Sequence, residues 1–221
     1  GGWFEACMIH KKWALSKATW RINELPRRDT PEWFRNMTVS LEITSTNQEL
    51  ARLRYHQLMF LRRYIDLPLY GSWFLWYDIG KGSWPVFIPL PFTLDICKDI
   101  HNGGCYVEPY IDSRLWDILD GPHRKSDWRW STHGKKFAVK LSDGSIPMEH
   151  YTATTYAVMC PGAEGWQKEL FDLTKSVAAF APAVYHDQVM TAQGFRCFDR
   201  THGHALNDPK AWVCEGYRPL Y

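Results

Sequence analysis

No run of about twenty uncharged apolar residues occurs in this chain, which excludes a membrane-spanning helix. The nearest approach, residues 67–94, is interrupted by Asp78 and Lys81 and broken by Pro85, Pro89 and Pro91. Neither sign of charge is in excess: 26 Lys and Arg face 24 Asp and Glu, so no whole-molecule attraction to nucleic acid or anionic lipid follows. Cysteine is scarce, six in 221 residues, and a chain this long can build a core without covalent staples. The Gly-x-Ser-x-Gly elbow, the phosphate loop, the dinucleotide fingerprint and any Cys-x2-Cys pair are all missing. Gly80-Lys81-Gly82-Ser83 has the residues of a phosphate loop without its spacing and reads as a hairpin turn. No repeat, low-complexity tract or linker divides the chain. It therefore reads as a single domain over 1–221, helical and basic over 1–66, hairpin-rich over 67–221 and ending in a loop tail.

What the chain has in quantity is aromatic rings: 12 Trp, 11 Tyr and 11 Phe, spread from Trp3 to Trp212. Large rings with a polar edge concentrate in cores and at contact surfaces, and this number exceeds what one small core needs. The first 63 residues carry a net charge of +5 and the remainder −3, which places a basic face on the N-terminal helices. The chain opens Gly-Gly-Trp without an initiator Met. That points to a processed N-terminus and leaves organelle import and secretion both open. Cys97 and Cys105 flank the turn-forming His101-Asn102-Gly103-Gly104, so a bridge there is sterically reasonable. Reduced, buried thiols are the preferred reading.

Pattern and breakers place the elements. Residues 3–24 read as a helix stopped at Leu25-Pro26, and 37–43 alternate as a strand. Thr46 and Glu49 form a capping box for a helix over about 47–65. Aromatic runs 72–77 and 84–88 read as one hairpin, and 93–99 with 105–111 as a second. Asp112 or Ser113 caps a short helix ending at Gly121, and 136–141 alternates before a turn at Asp143-Gly144. Residues 151–159 read as a strand, 163–179 as the last clear helix, 183–190 as a final strand and 194 onward as loop. Hairpins with three to four interspersed helices predict an α+β fold on an antiparallel or mixed sheet. A wound parallel sheet is disfavoured because strand and helix do not alternate regularly.

The densest chemistry is C-terminal. Cys197, His202, His204 and Cys214 could complete a tetrahedral Cys2His2 zinc site, since a His-x-His pair on extended backbone points both rings one way. Alternatively His202 and His204 with Asp199 or Asp187, joined by His186, leave an open metal position for hydrolysis. Cys160 sits at a helix start, where a thiol can be activated, although a buried structural cysteine is the plainer reading. His150 and His186 are candidate bases. The band Tyr70, Trp73, Trp76, Trp84 and Phe87 offers a docking surface. Without a catalytic signature, the preferred expectation is a non-catalytic accessory or scaffold subunit that binds other protein subunits through this band. It expects no cofactor and no nucleic acid, and leaves peripheral membrane contact open. The alternatives are a metal-assisted hydrolase built on His186, Asp199, His202 and His204, and an extracellular carbohydrate-binding module.

Overall fold

The structure is a computed structural model that describes residues 2–17, 29–37, 39–121, 129–151, 153–189 and 192–217. The chain divides into two compact units, Gly1–Asn36 and Met37–Tyr221. The first unit holds helix α1 (Trp3–Lys17) and the single turn α2 (Glu32–Arg35). The expected continuation of the first helix to residue 24, and its stop at Leu25-Pro26, lie outside the described residues. No helix among the described residues is long and apolar enough to cross a membrane.

The second unit begins with β1 (Val39–Glu42), α3 (Gln48–Arg62) and β2 (Leu69–Trp73). It continues through α4 (Thr93–Asn102), β3 (Tyr106–Asp112) and β4 (Leu115–Asp117). After the short helix α5 (Arg129–Thr132) come β5 (Met148–Tyr151), β6 (Thr154–Val158) and α6 (Glu164–Ala178). The unit closes with β7 (Tyr185–Asp187) and the turn α7 (Val213–Gly216).

The expected antiparallel or mixed α+β sheet is corrected by the strand order. β1, β2, β3 and β7 form one sheet in chain order, and every pair in it is parallel. Parallel neighbours must be joined by crossovers, which here carry α3, α4 and α6. A parallel sheet whose spatial order follows chain order is singly wound, the topology of a β/α-barrel wall. Between β3 and β7 is inserted a separate antiparallel sheet of order β4-β6-β5. That insertion hides the strand–helix alternation on which the sequence reading relied.

The two faces of the parallel sheet differ in chemistry. Leu69, Gly71 and Trp73 of β2 are buried, as are Val107, Pro109 and Ile111 of β3. Trp73 stacks on Phe92 at the start of α4, with ring centres 6.3 Å apart, which puts α4 on this face. At β7 the same face presents His186, which meets Thr174 of α6. The alternating positions carry Ser40, Glu42, Tyr70, Ser72, Tyr106, Glu108, Tyr110, Asp112, Tyr185 and Asp187. This second face is polar and aromatic, and it deepens in burial toward the C-terminal end of β3.

Three sequence expectations fall to local detail. Residues 93–102 are the helix α4, because Thr93, Ile96, Cys97 and Ile100 lie on one helical stripe and are all buried. The Gly103-Gly104 pair ends that helix, with Gly104 at φ +72 as a left-handed cap, instead of turning a hairpin. The helix expected from Asp112 to Gly121 is the end of β3, a tight turn and β4. The first aromatic hairpin does not form as expected: Ser72 and Trp73 end the parallel strand β2, and the two segments meet through an isolated antiparallel bridge, Tyr77 to Pro89, with the Asp78 N–H donating to Ile88 O at 2.8 Å. All six cysteines are free.

Candidate functional site

Two polar constellations stand out, and the first forms where β3 and β7 end. Asp112 and Asp187 are register partners, as are Tyr110 and Tyr185, so both strands present the same Tyr-x-Asp tripeptide on one face. The Tyr110 hydroxyl lies 3.1 Å from Asp187 Oδ2 and 3.5 Å from Asp112 Oδ2. Burial, together with the nearby charges of both aspartates, raises the Tyr110 pKa, so its hydroxyl stays a donor. Asp112 is fully buried, and its Oδ1 accepts from the backbone N–H groups of Arg114 at 2.9 Å and Leu115 at 2.7 Å. Burial pushes its carboxyl up to about 7 despite those donors. Asp187 is only half-buried and is the more accessible of the two.

A shell of ordered side chains fixes this end of the sheet. Arg114, itself buried, pairs with Glu149 and donates to Gln188 Oε1 at 3.1 Å. Tyr151 donates to Glu149 Oε2 at 3.1 Å and accepts from Gln188 Nε2 at 3.3 Å. Gln188, directly after Asp187, has φ 59, a left-handed backbone that turns the chain sharply beyond β7. Beside this shell opens a pocket of about 410 Å3 lined by Phe74, Tyr77, Trp84, Tyr151, Thr154 and Tyr156 among others. Its wall adjoins the aspartates through Phe74, whose ring centre is 4.5 Å from that of Tyr110.

The second constellation joins Cys160, Cys197, His202 and His204, whose ligand atoms all lie within 4.8 Å of one another. All four residues are buried. Cys160 Sγ is 3.2 Å from His204 Nε2, and Cys197 Sγ is 3.4 Å from His202 Nδ1. The closeness of the two thiols raises the Cys160 pKa and lowers that of Cys197. His202 and His204 converge because Gly203 between them takes φ +76, not because the backbone is extended. Cys160, considered from sequence as a nucleophile, takes the ligand place expected of Cys214, which is half-exposed and outside the cluster.

The remaining sequence candidates disperse. His186 lies on the apolar face, bonded to Ser113 Oγ at 2.8 Å and Thr174 Oγ1 at 3.3 Å, and burial lowers its pKa to about 4. Asp199 organises the loop, accepting from Thr201 N–H at 2.8 Å. His150 bonds Thr155 Oγ1 on the exposed hairpin β5–β6. Trp73, Trp76, Trp84 and Phe87 of the expected docking band are buried, with Tyr70 half-buried. Core packing consumes those rings, and Phe74, in the same aromatic run, is exposed. The aspartate pair was legible only as the repeated Tyr-x-Asp at residues 110–112 and 185–187.

A family model described as a domain of unknown function (DUF6259) matches residues 1–220. The chain belongs to that family. It is 23% identical over 224 residues to a protein of Bacteroides thetaiotaomicron named "Putative glycoside hydrolase", covering 99% of this chain and 32% of that protein. Among solved structures it is similar to an alpha-N-acetylgalactosaminidase of Bifidobacterium bifidum in complex with GalNAc, at TM-score 0.58 and 14% identity. That likeness covers 83% of this chain and 31% of the other. It is also similar to a cycloisomaltooligosaccharide glucanotransferase of a Paenibacillus species, at TM-score 0.57 and 10% identity over 82% of this chain and 27% of the other. The chain spans about a third of the length of the proteins it matches. These likenesses are to carbohydrate-active enzymes, and they overturn the expectation of a non-catalytic accessory subunit.

Proposed function

We propose that this chain forms part of the catalytic domain of a glycoside hydrolase, with Asp187 as one of its two working carboxyl groups. The observation that carries the reading is the position of Asp187: half-buried, at the C-terminal tip of a parallel strand, and held by the Tyr110 hydroxyl. In singly wound β/α folds, reacting groups stand at that end of the strands. Glycosidases pass through a transition state with positive charge at the anomeric carbon, which a carboxylate on the opposite side from the leaving group stabilises or attacks. Asp187 takes that part. Asp112 is too buried to touch a sugar and is a positioning residue, keeping a proton beside the Tyr110 hydroxyl. The aromatic pocket supports the same reading, because its rings offer flat apolar faces to a sugar ring and its volume is that of a small-molecule site.

The test is hydrolysis of a panel of aryl α- and β-glycosides by the wild-type protein and by Asp187→Asn. Release of the aryl group by the wild type, and its loss in a variant with unchanged circular dichroism, is the expected result. A folded Asp187→Asn variant with wild-type turnover removes Asp187 from the chemistry.

A further inference from the structure

The buried Cys2His2 cluster lies outside the aspartate site, and the glycosidase reading does not use it. We propose that Cys160, Cys197, His202 and His204 bind one structural zinc ion. Tetrahedral zinc with sulfur and nitrogen ligands holds S and N about 3.5 Å apart. The two S–N contacts here, 3.2 and 3.4 Å, come close to that separation. Two thiols and two imidazoles suit zinc, whereas magnesium and calcium require oxygen ligands that this cluster lacks.

The surroundings are those of a built site. His202 donates from Nε2 to the carbonyl oxygen of Lys136 at 2.7 Å, leaving Nδ1 with its lone pair directed at the cluster. Backbone N–H groups of Gly162 and Ala163 lie near Cys160 Sγ and those of Lys140 and Asp199 near Cys197 Sγ, while the Ala163 N–H donates to the Cys160 carbonyl oxygen at 3.0 Å. N–H groups near sulfur stabilise its negative charge, as a metal-bound thiolate requires. The His204 ring lies so close to Gly162 that a Cβ there would sit 2.5 Å from its Cδ2. The glycine is the space into which that imidazole is seated. On binding, two S–Zn bonds form and the two thiol protons pass to solvent.

Four protein ligands close the coordination sphere and leave no position for water or substrate, so the ion is a staple and not a catalyst. It joins the β6–α6 junction, through Cys160, to the loop after β7, which supplies the other three ligands. That loop leads to Tyr217, whose hydroxyl donates to the carbonyl oxygen of Ser113, next to Asp112. The zinc thereby anchors the segment that braces the aspartate site.

Native mass spectrometry and elemental analysis of the full chain, purified reduced and without chelator, test the assignment. The expected result is one zinc per chain, lost in Cys197→Ser and in His204→Ala and retained in Cys214→Ser. Cobalt substituted into the wild type should show the thiolate charge-transfer and ligand-field bands of a tetrahedral site. Should the ligand variants fail to fold, the wild-type metal content and the cobalt spectrum still decide. A folded wild-type chain that carries no metal and takes up none from added zinc overturns the proposal. So does a mass deficit of two hydrogens assigned to a Cys160–Cys197 disulfide, or iron found in place of zinc.

Discussion

Asp112 and Asp187 stand opposite one another in the parallel register of β3 and β7, with the Tyr110 hydroxyl between them, 3.5 Å from the first and 3.1 Å from the second. The pair is chemically uneven. One carboxyl is sealed from solvent and clamped by backbone N–H groups, and the other is half-buried at the strand tip. Two carboxylates this close repel when both are ionised, so burial of one is a way of keeping its proton in place.

The unevenness predicts unequal mutants. On the role proposed for Asp187, Asp187→Asn should lower glycoside turnover by on the order of 10³-fold, because that role places its carboxylate in the transition state. Asp112→Asn retains both backbone hydrogen bonds through its amide oxygen and should cost about tenfold. Steady-state kinetics on one aryl glycoside compares them, and equal losses would contradict the assigned roles.

Stability should respond to pH through Asp112. Its pKa is about 7 in the folded chain against 3.8 for the free side chain, with burial as the main cause. Between these values the folded state binds more protons than the unfolded state, so stability falls as pH rises. The contribution is complete below pH 3.8 and lost on passing pH 7. Asp112→Asn has no such group, and should gain on the wild type by roughly a few kcal/mol across that window. His186, lowered to about 4 by burial, acts in the opposite sense in both proteins and cancels in the difference. Urea unfolding of the two proteins at a series of pH values measures it; a pH-independent offset would refute Asp112 as the origin.

Arg114 is 1% exposed and relies on Glu149 for its counter-charge. Glu149→Gln leaves that guanidinium buried without a carboxylate and should cost about 3–5 kcal/mol. Arg114→Met removes the buried charge itself and should cost less. Denaturant midpoints give the order, and the reverse order would show that packing, not the ion pair, holds this corner.

Gly162→Ala should push His204 out of line, since the added methyl would lie 2.5 Å from the ring. Faster loss of zinc to a chelator is expected, with destabilisation of about 1–3 kcal/mol. Gly144→Ala is the control: φ there is +82, but nothing lies within 4 Å. It should cost about 1–2 kcal/mol of backbone strain and leave zinc retention unchanged.

Local signals found the elements that local forces define. The helix expected over 163–179 is α6 at Glu164–Ala178, whose stripe of Trp166, Leu170 and Val177 is buried as its spacing implies. The helix expected over 47–65 is α3, capped by Asn47 through its bond to Leu50 N–H, one residue past the capping box read from Thr46. Residues 93–102 misled because Thr93, Asp95 and Cys97 also alternate, and because Gly103-Gly104 can serve a hairpin or a helix end equally well. The last residue of the strand expected over 183–190 falls outside the described residues.

The sequence by itself placed Cys197, His202 and His204 within eight residues, a spacing that one loop can close. It also determined the amphipathic helices, whose hydrophobic period is written along the chain. Only the tertiary structure decided that Cys160 is the fourth member of that cluster, 37 residues before Cys197 in the chain. It likewise decided that the sheet is parallel, that the tryptophans expected to dock are buried, and that Asp112 faces Asp187 across 75 residues of chain. The physical reason is common to all of these. Strand pairing and burial depend on which segments meet in space, and a residue's type and immediate neighbours do not encode its distant partner.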